Sequence, residues 1–312
     1  MAAEHRSTKQ RVSDEQRAQV LDLRRRHSLR QVAHMTGLPL GTVKTLVSRS
    51  GAFRDNERHR ALFTLPPMQE SRETLPMVPE MPRQQRVTGD TEVDALLWLR
   101  EVINTGEPAL IDRALEAATC IATPLADVEK RYTAWLQRTH PGDLFAALSS
   151  FNFANLESLA QRARDRRAKQ IEARARFGDH IEALTDAEQF CEEALHGVTG
   201  DLVKYDKAEV ADRFRARPEL MPYTLGDCLH ELDFWSRLYW LRHAVIDWGD
   251  GPFESIAREW FVRDLLGEIR PRNREEAKAV LLYLVQQHGD YRLPDVDAVL
   301  LNLLGESSGV GG

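Results

Sequence analysis

From Thr91 to Leu304 the apolar residues recur three and four apart, and runs that alternate apolar with polar between turn signals are absent. Side chains at that spacing share one face of a helix, whereas a strand brings every second residue to one side. The chain is therefore expected to be all-α. Leu96, Leu97, Leu99 and Ile103 mark one stripe. Leu110, Ile111, Leu115, Ala118 and Ile121 mark a second, opened by Pro108, where a missing N–H costs nothing. Pro124 opens a third with Val128, Tyr132 and Trp135. An Ala-, Arg- and Glu-rich helix is expected from Asn155 to Phe177, and further helices over 185–196, 201–215, 225–247, 253–267, 273–288 and 295–304. No period of 20–50 residues recurs, which argues against a solenoid.

The N-terminal sixty residues are patterned differently. Ser13 precedes Asp14-Glu15-Gln16, a capping box with two acids in the first turn of a helix that runs to about Arg26 and buries Val20, Leu21 and Leu23. Ser28 precedes Leu29-Arg30-Gln31, a second capping box, opening a short helix to Met35 that buries Val32 and Ala33. Thr36-Gly37-Leu38-Pro39 reads as a turn, and a third helix is expected from Leu40 to Ser50 with Val43, Leu46 and Val47 inward. Two helices that cross at close range need a small residue where they touch, here Ala33, and a turn tolerant of positive φ, here Gly37. The outward face of the third helix then carries Gly41, Thr42, Lys44, Thr45, Ser48 and Arg49, short polar or cationic groups suited to phosphates and base edges.

The stretch from Leu29 to Arg49 resembles helix-turn-helix units of bacterial DNA-binding proteins. Within it, Gly41 to Arg49 is similar to the last helix of sigma-factor region four, and the preceding helix from Ser13 to Arg26 is similar to those of resolvases and insertion-sequence transposases. Thr36 stands where such units more often place an apolar side chain. The resemblance covers the head alone. It implies double-stranded DNA as partner, and the candidate DNA-binding residues are Thr42, Lys44, Thr45, Ser48, Arg49 and Arg30, with Arg26, the last of Arg24-Arg25-Arg26, serving either the helix dipole at a C-terminus or a phosphate. A mobile-element setting fits the same resemblance.

Charge follows the same division. The net charge is −6, but residues 1–60 carry 13 Lys and Arg against 6 Asp and Glu, a net +7, and the remaining 252 residues carry a net −13. A basic head on an acidic body is the asymmetry expected when only the head meets a polyanion. Residues 61–90 hold Pro66, Pro67, Pro76, Pro79 and Pro82 and read as an extended linker. The expected organisation is a head over 1–60, a linker over 61–90, a helical body over 91–304 for oligomerisation or a protein partner, and a Gly/Ser-rich tail over 305–312.

Other signals are weaker. Arg162, Arg164, Arg166, Arg167, Lys169, Arg174 and Arg176 form either a second phosphate-contacting helix or a face that is solvated or paired with an acidic helix, the latter favoured. Phe234-Trp235, Tyr239-Trp240 and Trp260-Phe261 read as core. His230-Glu231 lacks the second histidine of a zinc-protease helix, and Cys228 with His230 lacks a second ligand pair, so no metal is expected. Phosphate-loop, dinucleotide and nucleophile-elbow motifs are missing, so neither cofactor nor enzymatic activity is expected. Three scattered cysteines fit reduced thiols. No secretory signal and no apolar run of about 18 residues is found, so a cytoplasmic protein without a membrane span is expected. Together these readings lead to a sequence-specific transcriptional regulator acting as a homo-oligomer. A packaging, replication or partition accessory protein is the alternative, and a nucleic-acid enzyme the third.

Overall fold

The computed structural model describes residues 12–24, 27–69, 79–143, 150, 152–198, 205–246, 249, 251–286 and 296–305. Among them the fold is all-α, with no strand. In chain order the helices are α1 (Asp14–Arg24), α2 (Leu29–Thr36), α3 (Leu40–Ser50), α4 (Glu57–Leu62), α5 (Thr91–Asn104), α6 (Pro108–Ala118) and α7 (Leu125–Thr139). There follow α8 (Leu156–Phe177), α9 (Asp186–Ala194), α10 (Lys207–Arg215), α11 (Leu225–Val245), α12 (Phe253–Glu268), α13 (Arg274–Gln286) and α14 (Val296–Leu304). No helix among the described residues is long and apolar enough to cross a membrane.

The chain divides into two compact units. Unit 1 comprises residues 1–65, 184–238 and 250–312, and unit 2 comprises 66–183 and 239–249. Residues 1–60, expected as a head, fall within unit 1, and α4 runs across the boundary expected at residue 60. The reason is burial: His59 and Phe63 have no exposure, and Leu65 little. The described part of the proline-rich stretch lies on unit 2. Gln69 donates its backbone N–H to Ala175 O at 2.7 Å, and the Trp98 indole donates to Pro82 O at 2.8 Å.

Unit 2 is built on α5, which packs against α6, α7 and α8. Asp90 starts α5 by accepting from the amides of Glu92 and Val93, which would otherwise lack partners at the first turn. Its core gathers Leu96, Ile103, Ile111, Val128, Phe153 and Ala160. At the end of α11, Arg242 donates to the carbonyls of Ile181 and Ala183 at 2.9 and 2.7 Å.

Unit 1 centres on α12, which packs against α9, α10 and α14. Its core contains a buried charge. Arg258 and Glu231 are both fully buried and form a two-point ion pair, Nε to Oε1 at 2.7 Å and Nη2 to Oε2 at 2.9 Å. The Arg258 guanidinium sits 4.9–5.7 Å from the ring centroids of Phe63, Phe190, Phe214 and Phe261, whose π faces attract a cation. Glu231 also accepts from the Trp235 indole at 3.2 Å and from His59 Nε2 at 2.6 Å. Burial alone would raise the Glu231 carboxyl, but the Arg258 charge and the hydrogen bonds from Arg258 and His59 outweigh it and hold the pKa at about 2. A carboxylate at that pKa only accepts, so His59 donates through Nε2.

Removing one partner of such a pair leaves the other charged and unpaired in the core. Arg258→Met is expected to cost about 3–5 kcal/mol of stability in urea unfolding, and adding Glu231→Gln should recover part of it. The Glu231 carboxyl is depressed on folding from an ordinary 4.5 to about 2. Its contribution is therefore full above pH 4.5 and is lost as pH falls through about 2. Unfolding midpoints measured across that window should fall more steeply for wild type than for Glu231→Gln.

Candidate nucleic-acid interface

The three N-terminal helices form a small cluster of their own within unit 1. Val20, Val32 and Val43, one from each helix, have no exposure, and Leu23, Leu29, Ala33, Leu38, Leu46 and Val47 pack around them. Both expected capping boxes are present. Gln16 N donates to Ser13 Oγ at 3.1 Å while Ser13 N donates to Gln16 Oε1 at 3.2 Å. Ser28 and Gln31 repeat the exchange at 3.4 and 2.9 Å. Gly37 ends α2 at φ 68°, the left-handed conformation expected of the turn. Thr36 fits its place because its hydroxyl donates to Val32 O at 2.7 Å, so it does not need an outside partner. Gly51 ends α3 at φ 71°, and a side chain there would meet the Tyr223 ring at 2.5 Å.

With Val43 inward, α3 presents Lys44, Thr45, Ser48 and Arg49 as exposed side chains, with Thr42 half-buried beside them. Lys44 and Arg49 have no carboxylate partner among the described residues. Thr45 donates its hydroxyl proton to Gly41 O at 2.8 Å, which leaves its oxygen as an acceptor and its methyl as an apolar contact. Arg30 is exposed on α2 and is not brought onto the α3 face by any contact; Arg26 lies outside the described residues. Arg54 is a residue that motif spacing does not single out. It is exposed and donates to Ser48 O at 3.2 Å, which holds it beside the last turn of α3. The signal for it is an absence: residues 23–54 contain seven Lys and Arg and no Asp or Glu.

The second basic run has a different environment. On α8, Arg164 pairs with Asp112 at 2.7 Å, Arg167 with Glu107 at 2.7 Å and Arg176 with Glu172 at 2.8 Å. Arg166 donates to Asn104 O at 2.7 Å, and Lys169 Nζ lies 4.8 Å from the Trp240 ring centroid. These cations have partners inside unit 2, as expected of a helix packed on acidic neighbours. Unit 2 also has an open cleft of about 720 Å³ whose lining includes Leu115, Ile121, Pro124, Glu129 and Asn155, where Glu129 accepts from Ala154 N and Asn155 caps α8.

Phe234, Trp235 and Phe261 are buried, as their apolar setting implies, but Trp240 is 48% exposed. Its distance to Lys169 explains this: the ring carries a cation on its face in place of apolar cover. Cys191 and Cys228 are buried thiols, pushed well above their ordinary range by burial, and Cys120 is exposed. Among the described residues no group of three or more His, Cys, Asp and Glu is placed to hold a metal. No protein family, curated protein or solved structure matches this chain.

The Arg167–Glu107 pair is mostly shielded, at 14% and 19% side-chain exposure. Arg167→Gln should cost about 1–3 kcal/mol by weakening a charge-assisted bond, read as a lower thermal midpoint of the full chain. The same substitution at exposed Arg49 should leave the midpoint within about 0.5 kcal/mol.

Proposed function

We propose that this chain is a sequence-specific DNA-binding protein, a regulator of transcription that reads the major groove with the outer face of α3. One observation carries the reading: Lys44, Thr45, Ser48 and Arg49 stand exposed opposite a buried Val43, in a segment without a single carboxylate. An α-helix fits the major groove, where short polar side chains reach base edges and cations reach the flanking phosphates. Thr42, Thr45 and Ser48 take the first role, and Lys44, Arg49 and Arg54 the second.

The reading includes more than one copy. An 11-residue helix touches too few base pairs for genomic specificity, so two copies on two half-sites are the usual solution. Leu281, Leu282 and Val285 on α13 and Leu300 and Leu304 on α14 are exposed apolar side chains, which favours self-association. The acidic balance of the rest of the chain keeps it off DNA and suits it to protein contacts.

The test uses the full chain and duplexes selected from a random-sequence pool. Lys44→Ala and Arg49→Ala should weaken binding to every duplex and each reduce the slope of log K against log salt by about 0.9. Thr42→Ala and Thr45→Ala should change the preferred sequence, by about 1–3 kcal/mol for a good base contact. Wild-type affinity and preference in all four folded variants would overturn the proposal.

A further inference from the structure

We propose that the open cleft of unit 2 binds a small organic cation, an amine with an apolar body, whose ammonium group pairs with Glu129. The inference is independent of the α3 reading and gives unit 2 a ligand of its own. The cleft, about 720 Å³, is of the size that holds small molecules, for which about 300–1,000 Å³ is usual. It lies where the end of α6, the start of α7 and the start of α8 come together. Leu115, Ile121 and Leu125 line it and are only half-buried, so apolar surface is open to the body of a ligand.

The charge of the lining has one sign. Among the described residues the ionisable side chains that line the cleft are Glu129 and Glu157, with no Lys, Arg or His. Glu157 is exposed at the rim, whereas Glu129 is half-buried and held in place. Its Oε2 accepts from Ala154 N at 2.8 Å, and its Oε1 has no hydrogen-bond partner among the described residues. The other polar groups of the lining are mostly in use: the Thr119 hydroxyl donates to Glu116 O, the Thr123 hydroxyl to Glu92, and the Asn155 oxygen caps α8. Glu129 is therefore the strongest acceptor left to a ligand.

The cations nearby are engaged elsewhere. On α7, Lys130 pairs with Asp127 at 2.8 Å, and Arg131 pairs with Asp90 and Glu92. Arg100 on α5 is near enough to feel Glu129, but it donates to the carbonyls of Asn152 and Phe153 at 3.4 and 2.6 Å and lies over the Phe153 ring. The helix ends point the same way. α6 brings its C-terminal, negative end to the cleft, which favours a cation. α7 and α8 bring positive ends, but Asp127 in the first turn of one, and Glu157 with the Asn155 cap in the other, offset them. An anion would be repelled by Glu129, and a neutral ligand would forgo the charge. An ammonium group matches it with a charge-assisted hydrogen bond.

The test is ligand-observed NMR titration of the full chain with phenethylamine and hexylamine, with their neutral counterparts phenethyl alcohol and hexanol, and with the anion hydrocinnamate. Ligands of this size are expected to reach a Kd of about 1 mM when well seated. A hydrogen bond to a charged group is worth about tenfold or more, so the amines should bind at least about tenfold tighter than the alcohols, and the anion weakest of all. Glu129→Gln keeps an acceptor for Ala154 N and removes the charge. It should weaken the amines about tenfold, to the level of the alcohols, and leave the alcohols unchanged. Ala122→Lys puts an ammonium group on an exposed position of the lining, and it should weaken the amines by a similar factor without touching the Ala154 contact. Amines that bind no better than the alcohols, amines that do not bind at about 10 mM, or amine binding at wild-type strength in both folded variants would overturn the site. None of these outcomes bears on the α3 reading, which duplex binding tests separately.

Discussion

Arg258 is a full charge without access to water, and the packing of unit 1 is arranged around it. A guanidinium in such a place is tolerable only if its charge is matched and its donors are used. Glu231 supplies the charge and two acceptors, and Leu220 O takes a further bond at 3.2 Å. Four phenylalanines from α9, α10, α12 and the end of α4 supply the rest of the shell. Because the pair needs both geometry and rings, it selects one arrangement of these helices. A purely apolar core would be less demanding.

The same pair ties the N-terminal helices to the remainder of unit 1. His59 on α4 donates to Glu231, and Phe63 stacks edge-on against Phe234 and Trp235. Upstream of His59, Asn56 donates to the carbonyls of Glu219 and Met221 and caps α4 with its own oxygen. Asp227 accepts from the Asn56 amide, the Tyr223 amide and the Arg60 guanidinium. The path from α3 to the buried pair thus runs through Gly51 against Tyr223, then Asn56, then His59. Each step is packed or hydrogen-bonded. The α3 face is accordingly held by unit 1 at a defined orientation, where a proline tether would have left it loose.

Much of the fold is legible in the sequence because its causes are local. Capping boxes at Ser13 and Ser28, a left-handed Gly37 and stripes three and four apart all act within one or two turns, so spacing reveals them. The α3 face is legible for the same reason, since Val43 inward places Lys44, Thr45, Ser48 and Arg49 outward. Long-range pairing is not. His59 and Glu231 are 172 residues apart, and nothing near either one announces the other. The His230-Glu231 dipeptide resembles part of a metal helix, yet Glu231 serves the buried pair, while His230 Nε2 lies 3.2 Å from Arg60 O. Proline density in 61–90 shows where helices cannot run but not that Gln69 and Pro82 bond to α8 and α5. The charge of the Arg-rich α8 is equally ambiguous in sequence, because Asp112 and Glu107, which pair with it, belong to α6 and its N-cap.

Electrostatics connect the buried framework to the open face. The acid-free run from residue 23 to residue 54 is bracketed by Asp22 and Asp55, the two carboxylates best placed in sequence to dilute its charge. Both are engaged by arginines from the connection between α12 and α13. Arg270 pairs with Asp22 at 2.8 Å, and Arg272 pairs with Asp55 at 2.9 Å while also bonding Glu276. Within a Debye length of about 8–10 Å, a carboxylate paired in this way contributes little field of its own. The positive potential over α2 and α3 is then set by their own arginines and lysine. The ion pairs that dock the head in unit 1 are therefore also the ones that keep its cationic surface unmasked, so packing and surface charge depend on the same four residues.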